Sequence, residues 1–410
     1  MDRTLDNRKY VIAAFIVVIV LIFLIKLFFI QIIDTRYKVS AENNSQRHVT
    51  QYPARGLIYE RNNNLLVYNQ AAYDLMIVPR EVKAFDTLDL CKILKMPVDR
   101  VVKSISKAKR HSWYKPSIFL KQMSAITYAH LQEKLFKFPG FFVQTRTLRK
   151  YPQNIAANVL GYVGEVGERL TKKNNYYEPG DYTGISGIEK TYERSLRGKK
   201  GVTIYLVDVH NRIQGSFQEG KYDTVAISGS DIITTIDAQL QAYGEKLMSN
   251  KIGSITAIQP STGEILCLVS SPGYDPNLLV GRIRGKNYNI LKQDTLKPLF
   301  NRALMAQYPP GSTFKIVNAL VGLQENVVDL STKYSCSGPD SKPIRCSHYH
   351  VSPIGLVSSI EQSCNSYYWK VFKSIIKNPL YENAEQGFEI WRNHILSFGF
   401  GSPVGFDLFT

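Results

Sequence analysis

The stretch from Tyr308 to Lys315 reads YPPGSTFK and marks the beginning of a buried helix. Two prolines and a glycine interrupt the chain before it, and the apolar residues from Phe314 onward recur with helical spacing. We therefore expect Ser312 and Lys315 to lie in the first helical turn, at positions i and i+3 on one face.

This placement gives Ser312 a chemical environment suited to nucleophilic catalysis. Unpaired N–H groups at a helix start favour an alkoxide or an oxyanion beside the serine. A desolvated Lys315 would have a lowered pKa, and its neutral amine could take the serine proton. The alternative for an isolated S-x-x-K pattern is a serine N-cap beside a solvated lysine.

The composition is that of a globular protein of two to three domains. The chain has 410 residues, 44% of them hydrophobic, and a formal net charge of +17. Its lysines and arginines are dispersed rather than clustered with aromatic residues, so a nucleic-acid partner is not expected. A solvated basic surface, or attraction to an anionic membrane, fits better.

The N-terminus contains an uninterrupted apolar run from Val11 to Ile25, which continues beyond Lys26 to Ile33. We interpret residues 10–33 as a single transmembrane helix and the basic tail 1–9 as cytoplasmic, with the rest of the chain outside the cytoplasmic membrane. A cleaved signal peptide is the alternative, but no small residues follow the apolar run.

Two further regions follow, and the predicted fold class is α+β. Residues 34–228 are strand-rich, with an Asn-rich turn at Asn62–Asn64, and the segment YPQNIAANVLGYVGEV is predicted to form a helix that ends at Gly161. Residues 229–410 form a helix-plus-sheet domain, in which Asp237 caps a helix and GSITAIQPSTGEILCLVSSP forms a hairpin.

A second motif lies at Ser363-Cys364-Asn365. Alternation along a short backbone segment puts the serine and the asparagine on one side and turns Cys364 away. The serine hydroxyl can relay a proton, and the asparagine amide can hold a peptide. An S-x-N pattern alone is a weak signal, because the same residues often cap loops.

Together with S-x-x-K, however, S-x-N is typical of penicillin-interacting serine enzymes. The sequence resembles the class B penicillin-binding proteins, in particular the elongation-specific type, penicillin-binding protein 2. The segments that carry this resemblance appear in the family's order: RGLIYERNNNLL, YPQNIAANVLGYVG, GISGIEKTYERSLRGKKG, TTIDAQLQ and SSPGYDPN. Glu60 and Asn64 depart from the family's R-G-x-I-x-D-R-N-G element.

The resemblance implies a membrane-anchored pedestal, or dimerisation, domain followed by a serine β-lactamase-like transpeptidase domain. It implies that Ser312 attacks the penultimate D-Ala carbonyl of a peptidoglycan stem peptide, with Lys315 as general base. Ser363 would pass the proton to the departing amine, Asn365 would hold the substrate amide, and the Ser312 N–H would supply half of the oxyanion hole. β-Lactams would acylate the same serine, and catalysis would need no cofactor.

One family element is not found in the chain. No K-[ST]-G sequence occurs between Asn365 and Thr410, although that element supplies the other half of the oxyanion hole in the family. We therefore interpret the polypeptide as truncated, either because it is a fragment or because the gene is broken, and the chain alone could be inactive.

The cysteines beside the second motif suggest a metal site. Cys336, Cys346 and Cys364, with His350, provide three thiols and an imidazole, which suits tetrahedral zinc. His350 is favoured over His348 because it allows a longer reach from Cys346. A Cys336–Cys346 disulfide, or three unrelated cysteines, are the alternatives. The resemblance supports the metal, because some elongation-type relatives place metal ligands in this loop.

The resemblance also implies partners, and an alternative function has to be considered. The expected partners are peptidoglycan stem peptides, β-lactams, the membrane, a polytopic SEDS-type glycan polymerase and elongation-complex proteins. The alternative is a membrane-anchored protein without catalytic activity that activates such a polymerase. A β-lactam sensor is disfavoured by the short cytoplasmic tail, and a β-lactamase would not need the long strand-rich region.

Overall fold

The computed structural model describes residues 3–29, 46–208, 213–401 and 406–408. The chain divides into two compact units, one comprising Met1–Leu304 with Leu408–Thr410 and the other Met305–Asp407. Both contain helices and strands, in agreement with the predicted α+β class. The predicted domain boundary between residues 228 and 229 remains a prediction.

The N-terminal helix α1 spans Arg3–Phe28. Its large apolar side chains from Ile12 to Phe29 are exposed. Within the residues that the structure describes, no helix is both long and apolar enough to cross a membrane. The end of the predicted anchor, residues 30–33, lies outside the described residues, as do 34–45 of the region that follows.

The strands of the first unit form several small antiparallel sheets around one larger sheet. The larger sheet has the order β10-β2-β3-β4, with β5 also paired to β3, and a second sheet has the order β1-β8-β9. Two two-stranded sheets, β6-β7 and the hairpin β11-β12, complete the strands of this unit among the described residues. The strand bounds are β1 Gln46–Gln51, β2 Ile58–Tyr59, β3 Leu65–Ile77, β4 Ser117–Met123, β5 Phe141–Lys150, β6 Val163–Glu165, β7 Tyr182–Gly184, β8 Gly201–Val207, β9 Ile213–Ser216, β10 Ile232–Ile233, β11 Gly253–Ile258 and β12 Ile265–Ser271.

The Asn-rich turn forms between β2 and β3, as the sequence predicts. The Glu60 carboxylate, which is buried, accepts hydrogen bonds from the backbone N–H groups of Asn62 at 2.9 Å and Asn64 at 3.2 Å. Asn63 adopts a left-handed conformation with φ of 64°, which asparagine tolerates better than most residues. Glu60 therefore fixes the turn with the same type of acceptor that an aspartate would provide.

The helices of this unit pack on different strands: the first three after α1 lie on the larger sheet, and the helix Ala238–Leu247 lies on β12. Their bounds after α1 are α2 Thr87–Leu94, α3 Val98–His111, α4 Ala125–Gln132, α5 Ala157–Leu160, α6 Glu168–Lys173, α7 Gly187–Thr191, α8 Glu193–Leu196, α9 Ala238–Leu247, α10 Arg284–Gln293 and α11 Arg302–Met305. A buried apolar cluster that includes Leu75, Leu90, Leu131 and Phe138 joins the first three to the sheet. Asp237 caps α9, as predicted, by accepting hydrogen bonds from the next turn.

The predicted helix that ends at Gly161 is much shorter than expected. Only Ala157–Leu160 are helical, although the end point is correct. Ala156 has φ of 55°, which is incompatible with a right-handed helix passing through it. The buried Tyr151 hydroxyl donates to the Gly161 carbonyl at 2.8 Å, so this segment is held by a side-chain bond that its apolar spacing does not reveal.

A buried ion cluster ties distant parts of the first unit together. The Glu189 carboxylate, with no exposed side-chain surface, accepts from Arg55 Nε at 2.7 Å and from Arg149 Nε at 2.7 Å. Arg55 also pairs with Glu193 at 2.6 Å. Since these residues belong to the loop before β2, to β5 and to α7 and α8, the cluster fixes their mutual positions.

The second unit is mainly helical. Its core contains Ala319, Val321, Tyr367, Val371 and the three cysteines of the second motif region. The elements after α11 are α12 Phe314–Gln324, β13 Lys333–Tyr334, β14 Ile354–Gly355, α13 Leu356–Glu361, α14 Asn365–Ile376 and α15 Ala384–Ser397. Strands β13 and β14 pair in antiparallel fashion.

Candidate active site

Ser312 lies in a 3-10 turn, Gly311–Thr313, that leads directly into α12. Gly311 has φ of 60°, a conformation that glycine adopts without steric cost. Lys315 is the second residue of α12, so the serine and the lysine flank the helix start as the sequence predicts. Ser312 is exposed, and its hydroxyl is therefore accessible from solvent.

The structure brings the two sequence motifs together around the Lys315 amine. Lys315 Nζ donates to the Ser363 carbonyl at 2.6 Å, to Ser363 Oγ at 2.9 Å and to Asn365 Oδ1 at 2.6 Å. Ser363 Oγ in turn lies 2.8 Å from Ser312 Oγ, with the Ser363 hydroxyl donating. The hydrogen bonds that connect the Lys315 amine to the Ser312 hydroxyl therefore run through the Ser363 hydroxyl.

The surroundings of Lys315 disfavour its charged form. Burial lowers the pKa of Lys315 below the ordinary value of 10.5, whereas the thiols of Cys346 and Cys364 oppose that effect. Its three hydrogen-bond acceptors are neutral oxygens, so no carboxylate compensates the lost hydration. A neutral amine at this position can accept a proton from a hydroxyl.

The loop between α13 and α14 positions the second motif. Ser363 has φ of 50°, which is unusual for a residue with a side chain, and its N–H donates to the Ile360 carbonyl at 3.0 Å. Cys364 then caps α14, and its Sγ accepts from the Tyr367 N–H at 3.3 Å. Ser363 and Asn365 consequently face Lys315, while Cys364 has 0% exposure in the core.

The Asn365 amide has a partner that the sequence analysis did not anticipate. Its Nδ2 donates to the Arg345 carbonyl at 2.9 Å, while its Oδ1 accepts from Lys315. The amide orientation is thus fixed from both ends. A backbone carbonyl cannot be recognised from the residue type. Only the position of Arg345 next to Cys346 could have indicated this contact.

The four residues predicted to ligate a metal also come together. One potential ligand atom from each of Cys336, Cys346, His350 and Cys364 lies within 4.8 Å of all the others. The Sγ atoms of Cys336 and Cys346 are 3.5 Å apart, and those of Cys346 and Cys364 are 3.6 Å apart. All five cysteines of the chain are free thiols in this structure.

The imidazole of His350 is oriented by its backbone. His350 Nδ1 lies 3.0 Å from the Val351 carbonyl, and Nε2 is buried with no hydrogen-bond partner among the described residues. An imidazole nitrogen that lies beside three thiols and has no hydrogen-bond partner is suited to be a metal ligand. His348 is exposed and contacts Ser347 instead.

Backbone and hydroxyl groups around the thiols favour a thiolate at one of them. Burial alone would raise the pKa of the Cys336 thiol, but hydrogen bonds from Ser341 Oγ and the Gly338 N–H outweigh it and lower the pKa. Burial raises the pKa of the Cys364 thiol. A cation near the three sulfurs would favour the ionised form of all of them.

Comparison with known families matches both regions of the chain. Residues 50–234 match the penicillin-binding protein dimerisation domain, and residues 253–409 match the penicillin-binding protein transpeptidase domain. These two matches cover the strand-rich region and the region that contains Ser312, Lys315, Ser363 and Asn365.

Individual relatives agree with the family matches. The chain is 30% identical to the peptidoglycan D,D-transpeptidase MrdA of Acinetobacter baumannii, with 99% of this chain and 60% of the relative aligned. It is 28% identical to MrdA of Escherichia coli, with 99% and 65% aligned. The chain therefore spans about two thirds or less of the length of these relatives.

A solved structure has the same fold. The complex between penicillin-binding protein PBP2 and MreC from Helicobacter pylori matches with a TM-score of 0.71 and 23% identity, covering 89% of this chain and 68% of that one. At this identity the likeness concerns the fold. The two family domains, which together cover most of the chain, and the MrdA relatives show that the chain belongs to the class B penicillin-binding proteins of the PBP2 type.

Proposed function

We propose that the protein is a peptidoglycan D,D-transpeptidase that crosslinks stem peptides through an acyl-enzyme at Ser312. The observation that carries the proposal is the hydrogen-bonded series from Ser312 through Ser363 to Lys315 and Asn365. An exposed nucleophile, a hydroxyl relay and a lysine whose pKa is lowered by burial are the parts that acyl transfer needs. The MrdA relatives carry the name of this activity.

The proposed reaction has two halves. Ser312 Oγ attacks the carbonyl carbon of the penultimate D-Ala, its proton moves through Ser363 Oγ towards Lys315, and the C–N bond to the terminal D-Ala breaks. The departing amine takes the proton from the same relay. An amine of a second stem peptide then attacks the ester, forms the new amide bond and returns the proton to Ser312.

The nucleophile is tested with a fluorescent penicillin. We expect covalent labelling of the protein and no labelling of Ser312→Ala, because the acylated oxygen is removed. Ser331→Ala is the matched control, since this exposed serine bonds only to Asp329 among its described side-chain contacts. Labelling of Ser312→Ala, with an intact melting transition, would show that the nucleophile lies elsewhere.

The alternative is a membrane partner that activates a glycan polymerase without catalysis. This function would use the first unit and would not need the Ser312 hydroxyl. Complementation separates the two, because Ser312→Ala would restore normal cell shape to cells depleted of the native protein only under the alternative. The Helicobacter pylori relative is named in complex with MreC, and we include an elongation-complex partner of that kind in the proposal.

We also propose that the N-terminal region anchors the protein in the cytoplasmic membrane. The run from Val11 to Ile25 is uninterrupted apolar sequence, and the large side chains of α1 from Ile12 onward are exposed. Residues 1–9 would be cytoplasmic and the chain after Ile33 external. Protease added to spheroplasts should then digest the region from Arg55 onward, whereas protection of that region would contradict the orientation.

The cysteine cluster is proposed to hold one structural zinc ion. Cys336, Cys346, Cys364 and the Nε2 atom of His350 are three sulfurs and one nitrogen, the donor set of many structural zinc sites. In tetrahedral zinc thiolate sites the sulfurs lie about 3.8 Å apart, close to the observed separations. Bound zinc would hold the cysteines as thiolates and brace the loop that carries Ser363 from the side opposite the nucleophile.

Metal content and stability test this site together. We expect about one zinc per chain by elemental analysis and a lower Tm after chelation, because structural zinc contributes directly to folding. Cys346→Ser should lose the metal and acylate Ser312 more slowly. Cys91→Ser is the control, since this thiol is also buried but lies outside the cluster. Metal-free protein with free thiols, or a disulfide that responds to reductant and not to chelator, would contradict the proposal.

A further inference from the structure

A cavity of about 550 Å³ lies within the first unit, apart from the residues assigned to catalysis. Its wall is formed by the loop before β2, by strands β3, β4, β5 and β6, by helix α3, by the segments between α6 and β7 and between α8 and β8, and by the start of α10. Cavities of a few hundred to a thousand Å³ are typical of small-molecule sites in proteins. Since every lining residue belongs to this unit, the cavity can be considered independently of Ser312.

The wall of the cavity carries a large excess of positive charge. Nine of its residues are lysine or arginine, and only two are aspartate or glutamate. Several of the cations are neutralised by ion pairs: Arg55 and Arg149 with Glu189, Arg146 with Asp74, Lys200 with Asp181, and Lys121 with Glu165.

Four lining guanidinium groups have no ion pair among the residues that the structure describes: Arg100, Arg197, Arg282 and Arg284. Guanidinium groups that converge on one cavity without carboxylates attract an anion, and their planar fork matches carboxylate and phosphate oxygens. The ligand of this cavity should therefore be negatively charged.

The cavity also contains buried polar atoms that lack a partner. Arg149 Nη2 is buried and unsatisfied among the described residues, and Arg149 as a whole is 5% exposed. Two acceptors in the same wall, Asp181 Oδ1 and Gln122 Oε1, are also buried without a donor. Burying such groups costs free energy unless a ligand or a water molecule forms the missing hydrogen bonds. A simple anion would satisfy only the donor, whereas a ligand with hydroxyl groups would satisfy all three.

Tyrosine rings complete the lining. Tyr52 lies under the Arg146 guanidinium at 4.4 Å, and Tyr176 lies under that of Arg197 at 3.7 Å. These contacts orient the two guanidinium groups within the wall of the cavity. The cavity thus offers oriented cations, unsatisfied acceptors and flat apolar rings at once.

From these features we infer that the cavity binds a saccharide that carries carboxylate or phosphate groups. The hydroxyl groups would donate to Asp181 and Gln122, and the acidic group would accept from the unpaired guanidinium groups. Two sources share this chemistry: a glycan fragment with carboxylates, and a sugar attached to a diphosphate. An acidic protein segment would satisfy the charge alone.

Calorimetric titration of the purified full chain tests the inference with four probes. The probes are a disaccharide–tetrapeptide from digested peptidoglycan, UDP-N-acetylglucosamine, the neutral disaccharide chitobiose and hexaglutamate. We expect saturable binding of at least one of the first two, and the stronger of them identifies the carboxylate or the phosphate source. We expect chitobiose and hexaglutamate to bind at least tenfold more weakly.

Two variants locate the binding. Arg284→Gln and Arg197→Gln should each weaken the preferred probe about tenfold or more, because each removes a charged hydrogen-bond donor. Arg194→Gln is the matched control, since Arg194 is exposed, lies three residues before Arg197 and does not line the cavity. Ser312→Ala should bind the probe as the native chain does, so the result does not depend on the proposed catalysis.

Four other results of the titrations would contradict binding of an acidic saccharide in the cavity. Equal binding of chitobiose would show that the charge of the ligand is irrelevant, and preference for hexaglutamate would replace the saccharide with an acidic peptide. An equal loss in Arg194→Gln would mean general electrostatic attraction without a defined site. Absence of saturable binding by all four probes would overturn the inference.

Discussion

The two units of this protein differ in the partners that they provide for cationic side chains that are removed from solvent. In the first unit, Arg55 and Arg149 share the fully buried carboxylate of Glu189. In the second, the Lys315 amine donates hydrogen bonds to neutral oxygens of Ser363 and Asn365. The first arrangement compensates buried cations with a carboxylate, whereas no carboxylate among the described residues forms an ion pair with Lys315.

The pKa shifts of Arg55 and Lys315 express this difference, although burial still lowers the pKa of Arg149 beside the Glu189 carboxylate. Burial alone would lower the pKa of Arg55, but the carboxylates of Glu189 and Glu193 outweigh it and raise the pKa. Burial lowers the pKa of Lys315, and no carboxylate reverses the effect. A paired cation keeps its proton and supports the structure, while an unpaired one can exchange its proton and support chemistry.

The largest effect is expected when the lysine amine is removed. Lys315→Ala should slow acylation by fluorescent penicillin by roughly 10²–10⁴-fold, the range for loss of a general base. The Tm should change little, since the acceptors on Ser363 and Asn365 are partly exposed and can turn to water. Stopped-flow labelling and a thermal melt measure the two quantities.

The control for this variant is Lys373→Ala, which removes an exposed lysine of α14. It should label at the native rate. If Lys315→Ala labels as fast as Lys373→Ala, the lysine is not the base, and the contrast between the two units has no catalytic meaning.

The converse experiment breaks the paired arrangement. Glu189→Gln leaves Arg55 and Arg149 buried without their shared charge, and we expect a loss of about 3–5 kcal/mol in the free energy of unfolding. Urea denaturation of the native chain, the variant and Glu168→Gln, an exposed glutamate of α6, measures it. A loss as small as that of Glu168→Gln would show that the cluster is not stabilising.

The smallest and most specific effect concerns pH. The proposed base acts as a neutral amine, so the acylation rate should rise with pH while Lys315 loses its proton and then level off. Because burial lowers its pKa, the midpoint of the rise should lie below the ordinary lysine value of 10.5. In the same window the folded state binds fewer protons than the unfolded state, so this group makes the protein more stable as pH rises.

Initial rates of labelling from pH 6 to 10, corrected for hydroxide hydrolysis of the probe, give the profile. A rate that still rises at pH 10 without levelling off would mean that the environment of Lys315 does not favour the neutral form. A rate independent of pH would mean that another group, or none, takes the serine proton.

The residues proposed for catalysis and for metal binding could be named from the sequence because they form recognisable patterns of residue types along the chain. Ser312 and Lys315 lie at a helix start that two prolines and a glycine predict. The turn after β2 is predicted by its run of asparagines, which favour turns. The choice of His350 rested on reach along the chain, and the structure places its ring beside the thiols.

Features that depend on distant partners could not be predicted. The short α5 is set by a bond from the Tyr151 hydroxyl to Gly161, which apolar spacing does not encode. The Asn365 amide is fixed by the carbonyl of Arg345, and any backbone carbonyl looks the same in a sequence. The basic cavity of the first unit is lined by nine separate segments of the chain, so no single stretch of sequence predicts it.

The loop from Ser363 to Asn365 has a consequence for how the gene can change. Three consecutive residues serve three different neighbours: Ser363 meets the nucleophile, Cys364 enters the thiol cluster, and Asn365 meets the lysine. Inserting or deleting one codon here would shift every side chain to the wrong neighbour at once. Length variation among natural homologues should therefore be absent from this loop.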